Sequence, residues 1–200
     1  MPLEPRARLE HLVAMPNKTK SGIFIIANMP GAVGERIAAL QATYDPRLVR
    51  LGPPHVTIAG SSGMGPIAPD TPLTELQETL APIAESTPPI TLRFGRPTRF
   101  MQTEIIVLPL DPHGPLRALH ERLKTSGLRA LPPRFFFTPH VTLSLYRELT
   151  TEARKALLAE RFDEPVTIDS IEAHLTKDTG ESRQLLALPL GPAARTNGSF

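Results

Sequence analysis

Apolar and polar positions along the chain alternate between two periods. Ile23 to Asn28, after Gly22, read as a short buried strand. MPGAVG then leads into Glu35, Ile37, Ala38, Leu40 and Gln41 at helical spacing. Beyond a loop holding Pro46 and the Pro53-Pro54 pair, HVTIAG alternates Val56 and Ile58 with His55, Thr57 and Ala59, the period of a strand. Gly60 to Pro69 read as a flexible loop. Pro72 to Ser86 carry a helix through Leu73, Leu76, Leu80 and Ile83, and Ile90 to Phe94 return to strand.

The second half repeats the order. QTEIIVLPL from Gln102 reads as a strand, Pro115 to Ser126 as a helix with Leu116, Leu119 and Leu123, and TPHVTLSLY as a strand. Thr151 to Phe162 form a further helix. Val166 to Leu175 and Gln184 to Leu190 are two closing strands, turned through Asp178, Thr179 and Gly180. Pro-His-Val-Thr opens the corresponding strand in both halves, so the chain is an internal duplication, with halves over about 21–100 and 101–192. Two copies are too few for a solenoid. They predict an α+β fold, one bilobal domain over 21–192 whose pseudo-twofold lobes face each other across a cleft, with the helices outside.

Composition narrows the function classes. Two hundred residues suffice for a domain that buries its own core. The absence of cysteine removes disulfides, thiolate nucleophiles and cysteine-ligated zinc, and it fits a reducing cytoplasm, the expected location. Residues 1–20 are charged and broken by prolines, unlike a secretion signal. They are expected to be a flexible basic segment, and residues 193–200 a tail. No apolar run is long enough to cross a bilayer. The net charge of +2 permits a polyanionic partner without requiring one. A monomer is expected.

Residues two apart on a strand share a face, so His55 and Thr57 project together, as do His140, Thr142, Ser144 and Tyr146. Two imidazoles and two hydroxyls converging from two lobes suit phosphodiester chemistry. A neutral histidine takes a proton from an attacking hydroxyl or water, and a protonated one gives a proton to the leaving oxygen. The threonines hydrogen-bond the non-bridging oxygens. His-x-Thr is not a usual metal pair, and neither copy has Asp or Glu at ligand spacing, so neither a metal nor another cofactor is expected.

Two H-x-T-[hydrophobic] motifs in a duplicated chain resemble the 2H phosphoesterase superfamily, in particular its 2′-5′ RNA ligase branch, also known as RNA 2′,3′-cyclic phosphodiesterases. The resemblance covers about residues 22–190. It implies antiparallel sheets lining the cleft, chain termini sharing one lobe, His55 and His140 as acid/base residues, and Thr57 and Thr142 as phosphate-holding partners. It also implies an RNA end with a 2′,3′-cyclic phosphate as substrate, opened to a 2′-phosphate, with reversible 2′-5′ joining in some members. Many relatives place a basic residue soon after the second motif; here Ser144 and Leu145 follow and the first arginine is Arg147.

Other side chains are weighed against this frame. His174-Leu175-Thr176 is a third copy of the bare pattern, read as a decoy because it lacks the preceding proline and sits beside the last turn. His113 and His120 are expected to face solvent or cap a helix, and His11 lies in the N-terminal segment. Arg134, Arg147 and Tyr146 around the second motif, and Arg93, with Arg96 and Arg99 nearby, are candidate substrate contacts. Phe135, Phe136 and Phe137 are expected to contribute at least two core residues. The SSGMG stretch lacks the lysine and spacing of a P-loop and reads as a flexible connection near the site. Competing readings are a phosphodiesterase for a small cyclic nucleotide or ADP-ribose cyclic phosphate, an RNA-binding module without turnover, and a metal-dependent hydrolase.

Overall fold

The computed structural model describes residues 21–145, 148–177 and 181–191. Residues 1–20 and 193–200, the Asp178-Thr179-Gly180 turn, and Tyr146, Arg147 and His11 all lie outside the described residues.

The first half runs β1 (Gly22–Asn28), α1 (Gly31–Tyr44), a single-turn α2 (Pro46–Val49), β2 (His55–Ala59), α3 (Leu73–Glu85) and β3 (Ile90–Leu92). The second runs β4 (Thr98–Arg99), a 3-10 turn (Phe100–Gln102), β5 (Ile106–Pro109), α4 (Pro115–Lys124), β6 (His140–Ser144), α5 (Thr151–Ala159), β7 (Val166–Ile168), β8 (Ser170–Thr176) and β9 (Ser182–Pro189). Seven strands pair antiparallel in the order β4-β5-β6-β2-β1-β8-β9, and β3 pairs with β7 in a separate small sheet. The expected lobes are the two sides of this large sheet, which meet where Val56 of β2 pairs with Val141 of β6.

The duplication is legible in this order. Outward from the centre, β6-β5-β4 on one side matches β2-β1-β8 on the other, with β9 added at the edge. The small sheet pairs the equivalent strands of the two halves, Ile90 with Ile168 and Leu92 with Val166. The first and last strands of the described chain share one lobe, as the resemblance implied.

One face of the large sheet is apolar. Ile23, Ile25 and Ala27 on β1, Val56 and Ile58 on β2, Ile106 and Leu108 on β5, Val141 and Leu143 on β6, and Ile171 and Ala173 on β8 are all buried. Each fully buried Val or Ile contributes about 1.5–3 kcal/mol. Helices cover this face in a crossed manner: α1 packs on β6 of the other half, and α4 on β2. Residues Leu116, Leu119 and Leu123 of α4 recur at the three- and four-residue spacing that keeps one stripe against the sheet.

Four expectations are corrected. Val166 to Leu175 is two strands, because Val166–Ile168 turns away to join β3 while Ser170–Thr176 joins β1. His120 is buried, not solvent-facing; its ring stacks on Phe137 at 4.0 Å between centroids, and Nδ1 sits 2.7 Å from the Ile58 carbonyl. Of the three phenylalanines only Phe137 is in the core, and Phe136 is 88% exposed. The glycine-rich loop is tied down: Gly63 N–H donates to Phe135 O, and the N–H groups of Arg134 and Leu131 donate to Ser61 O and Pro66 O. Its glycines are close-packing devices. At Gly65, with φ +85°, a Cβ would stand 1.8 Å from the Leu131 carbonyl oxygen.

Candidate active site

The polar face of the sheet carries both motifs. Antiparallel pairing at Val56 and Val141 sets His55 across from Thr142 and Thr57 across from His140. Their side chains stand on the face opposite the buried valines. The two histidines are then diagonal neighbours, and such positions lie about 7–8 Å apart, wide enough to flank one tetrahedral phosphorus. All four line a single cavity of about 140 Å³, together with Gln41, Leu48, Leu51, Gly52, Pro53 and Leu145.

Each ring is oriented the same way. His55 Nδ1 lies 2.8 Å from Pro53 O, and His140 Nδ1 lies 2.7 Å from Thr138 O. A carbonyl oxygen only accepts, so Nδ1 carries hydrogen in both, and Nε2 is the nitrogen left to exchange a proton. The residue two before each histidine therefore fixes its tautomer, which duplication of the segment explains. Phe100 also packs on the His140 ring, 4.6 Å between centroids.

Burial pushes both imidazoles below their ordinary pKa, against the raising effect of the two carbonyls. His55 is lowered further by the charges of His174 and His140, while Glu172 pulls it upward. His174 and Glu172 reach the site because β8 pairs with β1, which pairs with β2. Glu172 accepts from Asn28 Nδ2 at 3.0 Å and contacts His174 Nε2 at 2.6 Å. The third H-x-T thus stands on the same face as the first, two strands away.

Sequence reasoning missed the groups that hold β6. Asp45, fully buried, accepts from the Leu145 backbone N–H at 2.7 Å, and Ser144 Oγ lies 3.5 Å from it. Gln41 Nε2 donates to the Thr142 carbonyl at 2.7 Å. His120 does the same for the other half by donating to Ile58 O. Each half's helix therefore sends one buried polar side chain to a carbonyl of the other half's motif strand.

Among the described residues, the candidate arginines Arg93, Arg99 and Arg134 are not gathered at the motifs. Arg93 lines a different cavity, with Leu110 and Pro115, since β3 belongs to the small sheet. Arg99 pairs with Glu104, and Arg134 lines a further cavity beside Phe135. Among the described residues no three His, Asp or Glu side chains are grouped to hold a metal ion, and no helix is long and apolar enough to cross a membrane.

The family model of the 2′-5′ RNA ligase superfamily, the 2H phosphoesterases, matches residues 29–180. The chain belongs to this superfamily. A protein of Geobacillus kaustophilus (strain HTA426), provisionally named a phosphoesterase, is 32% identical over 125 residues, covering 62% of this chain and 68% of the relative. One of Bacillus pumilus (strain SAFR-032), named in the same way, is 29% identical over 129 residues, covering 63% and 72%. Among solved structures, TT0787 of Thermus thermophilus superposes with a TM-score of 0.55 at 19% identity, over 86% of this chain and 98% of that one. E. coli LigT complexed with 3′-AMP gives 0.53 at 18% identity, over 85% and 97%. These likenesses establish the α+β fold of the superfamily for this chain.

Proposed function

We propose that the protein opens 2′,3′-cyclic phosphates at RNA ends to 2′-phosphates, with His55 and His140 as the acid/base pair. The observation that carries this reading is the matched tautomer of two imidazoles flanking one small cavity. In the reaction, one neutral Nε2 takes a proton from water as its oxygen bonds to phosphorus. The P–O3′ bond breaks, and the other histidine, protonated, delivers its proton to O3′. Thr57 and Thr142 donate to the non-bridging oxygens, where charge accumulates. With the 5′-hydroxyl of another RNA in place of water, the same cleavage of P–O3′ would leave a 2′-5′ phosphodiester, the joining direction, without a nucleotide cofactor.

Cavity size supports a terminal phosphate as the reacting group. A cavity of about 140 Å³ has room for a phosphate group, which is the size of a few water molecules. The base then rests outside, where Leu51 and Leu145 are each 40% exposed. That the neighbour LigT has been crystallised with 3′-AMP is in keeping with a nucleotide end. Incubated in EDTA with a short RNA ending in a 2′,3′-cyclic phosphate, the protein is expected to release the 2′-phosphate isomer, resolved by chromatography. A 3′-phosphate product, or no product, would refute the reading.

A further inference from the structure

A second cavity, of about 590 Å³, lies outside the motif pocket. Its wall carries three cations, Arg117, Lys124 and Arg134, against one carboxylate, Glu121. Glu121 sits 2.9 Å from Arg117 and 3.9 Å from Lys124, so the lining keeps an excess of positive charge. At its mouth stand Phe135, 44% exposed, and Phe136, 88% exposed. Two large apolar rings held toward solvent are unusual without a partner to cover them. The backbone that bears them is tied down: Phe135 O accepts from Gly63 N–H, the Arg134 N–H donates to Ser61 O, and Thr138 Oγ1 donates to Phe136 O at 3.1 Å. Met101, also lining the cavity, has φ +45° and ψ +42°, a left-handed conformation that is uncommon for non-glycine residues and concentrated at ligand sites.

The cavity is connected to the reacting histidine through rings. Phe100 packs on His140, and Phe135 meets Phe100 edge-on at 6.0 Å. We infer that this cavity is a subsite for an upstream nucleotide of a single RNA strand whose 3′ end occupies the motif pocket. The base lies on Phe135 and Phe136, and its phosphate on the cations. Aromatic faces beside a basic wall are what single-strand recognition uses, and the volume suits one nucleotide. This inference rests on the cyclic-phosphate reading and sharpens it, because a mononucleoside cyclic phosphate has nothing to place there. The strand, not the small nucleotide, is then the preferred substrate.

The test is a Lys124→Glu/Phe136→Ala double variant. Both side chains are largely exposed, so the fold is retained, and a melting curve checks this. Anisotropy of a short labelled RNA with a 3′-hydroxyl end is expected to show a Kd raised about tenfold or more, since one base stack alone is worth about that, with a shallower salt dependence. The ratio of kcat/KM for cyclic-phosphate RNA to that for a mononucleoside 2′,3′-cyclic phosphate should fall by a similar factor. No RNA binding by the native protein, or a folded variant whose Kd lies within about twofold of native, would overturn the subsite whatever the hydrolysis assay gives. Native protein that binds RNA through these residues yet hydrolyses neither substrate would refute the cyclic-phosphate reading and leave the subsite standing.

Discussion

Replacing His55 or His140 by alanine is expected to lower kcat on a cyclic-phosphate RNA by about 10²- to 10⁴-fold, with the double variant little worse than either single one. In the proposed mechanism each histidine supplies one half of a coupled proton transfer, and groups that act as a unit are strongly non-additive. The fold should survive. Both imidazoles are half-buried on the polar face, and the packing of β2 and β6 rests on Val56 and Val141, whose side chains face the other way. Single-turnover rates at saturating RNA give the test, with melting curves as a control. Two independent losses that multiply would mean the histidines do not act on the same event. Loss in only one variant would break the symmetry on which the mechanism depends.

Asp45→Ala is expected to lower both stability and activity, although Asp45 lies outside the motifs. It strands the Leu145 N–H, now held at 2.7 Å, and removes one contact of Ser144, at 3.5 Å. Leaving a buried donor unsatisfied costs about 1–3 kcal/mol, which lowers the Tm of a chain this size by about 2–12 °C. The Arg47 contact at 3.4 Å adds little, because that guanidinium is largely exposed. Activity should fall as well, by roughly ten- to a hundredfold, because Leu145 borders the motif cavity and a displacement near 1 Å is enough to misplace reacting groups. Asp45→Asn keeps an acceptor and should recover most of the Tm. Equal melting of Asp45→Ala and native protein would contradict this account of β6.

The motif strands were legible because their alternation is strict: Val56 and Ile58 against His55 and Thr57, and Val141 and Leu143 against His140 and Thr142. The duplication then supplied the pairing of chemistry, though not the pairing of strands. Nothing local says that Val166–Ile168 seeks β3 while Ser170–Thr176 seeks β1, since apolar Ile168 and Ile171 flank Asp169 without an obvious break. That long-range choice also hid Glu172 and His174, which face His55 only once β8 lies beside β1. β4 and α2 are too short to show a period. His120 could have been found, since it stands four residues from Leu116 on the stripe that α4 buries, as Gln41 stands four from Ile37 on α1. The spacing put both polar groups inside, and only their carbonyl partners on the opposite half explain why they are tolerated there. Asp45 left no such trace.

The most direct test of the two-histidine account is the pH dependence of kcat/KM on a cyclic-phosphate RNA in EDTA. On this account the reactive form of the free protein has one histidine neutral and one protonated, so its population peaks between the two apparent pKa values of the pair. Burial lowers both imidazoles below the ordinary value of 6.5, and the cyclic phosphodiester stays anionic throughout. The account predicts a bell with its maximum on the acid side of pH 6.5, falling about tenfold per unit toward alkaline pH as the acid partner loses its proton. A profile that stays flat or rises from pH 6.5 to 8, or activity that EDTA abolishes, would contradict it.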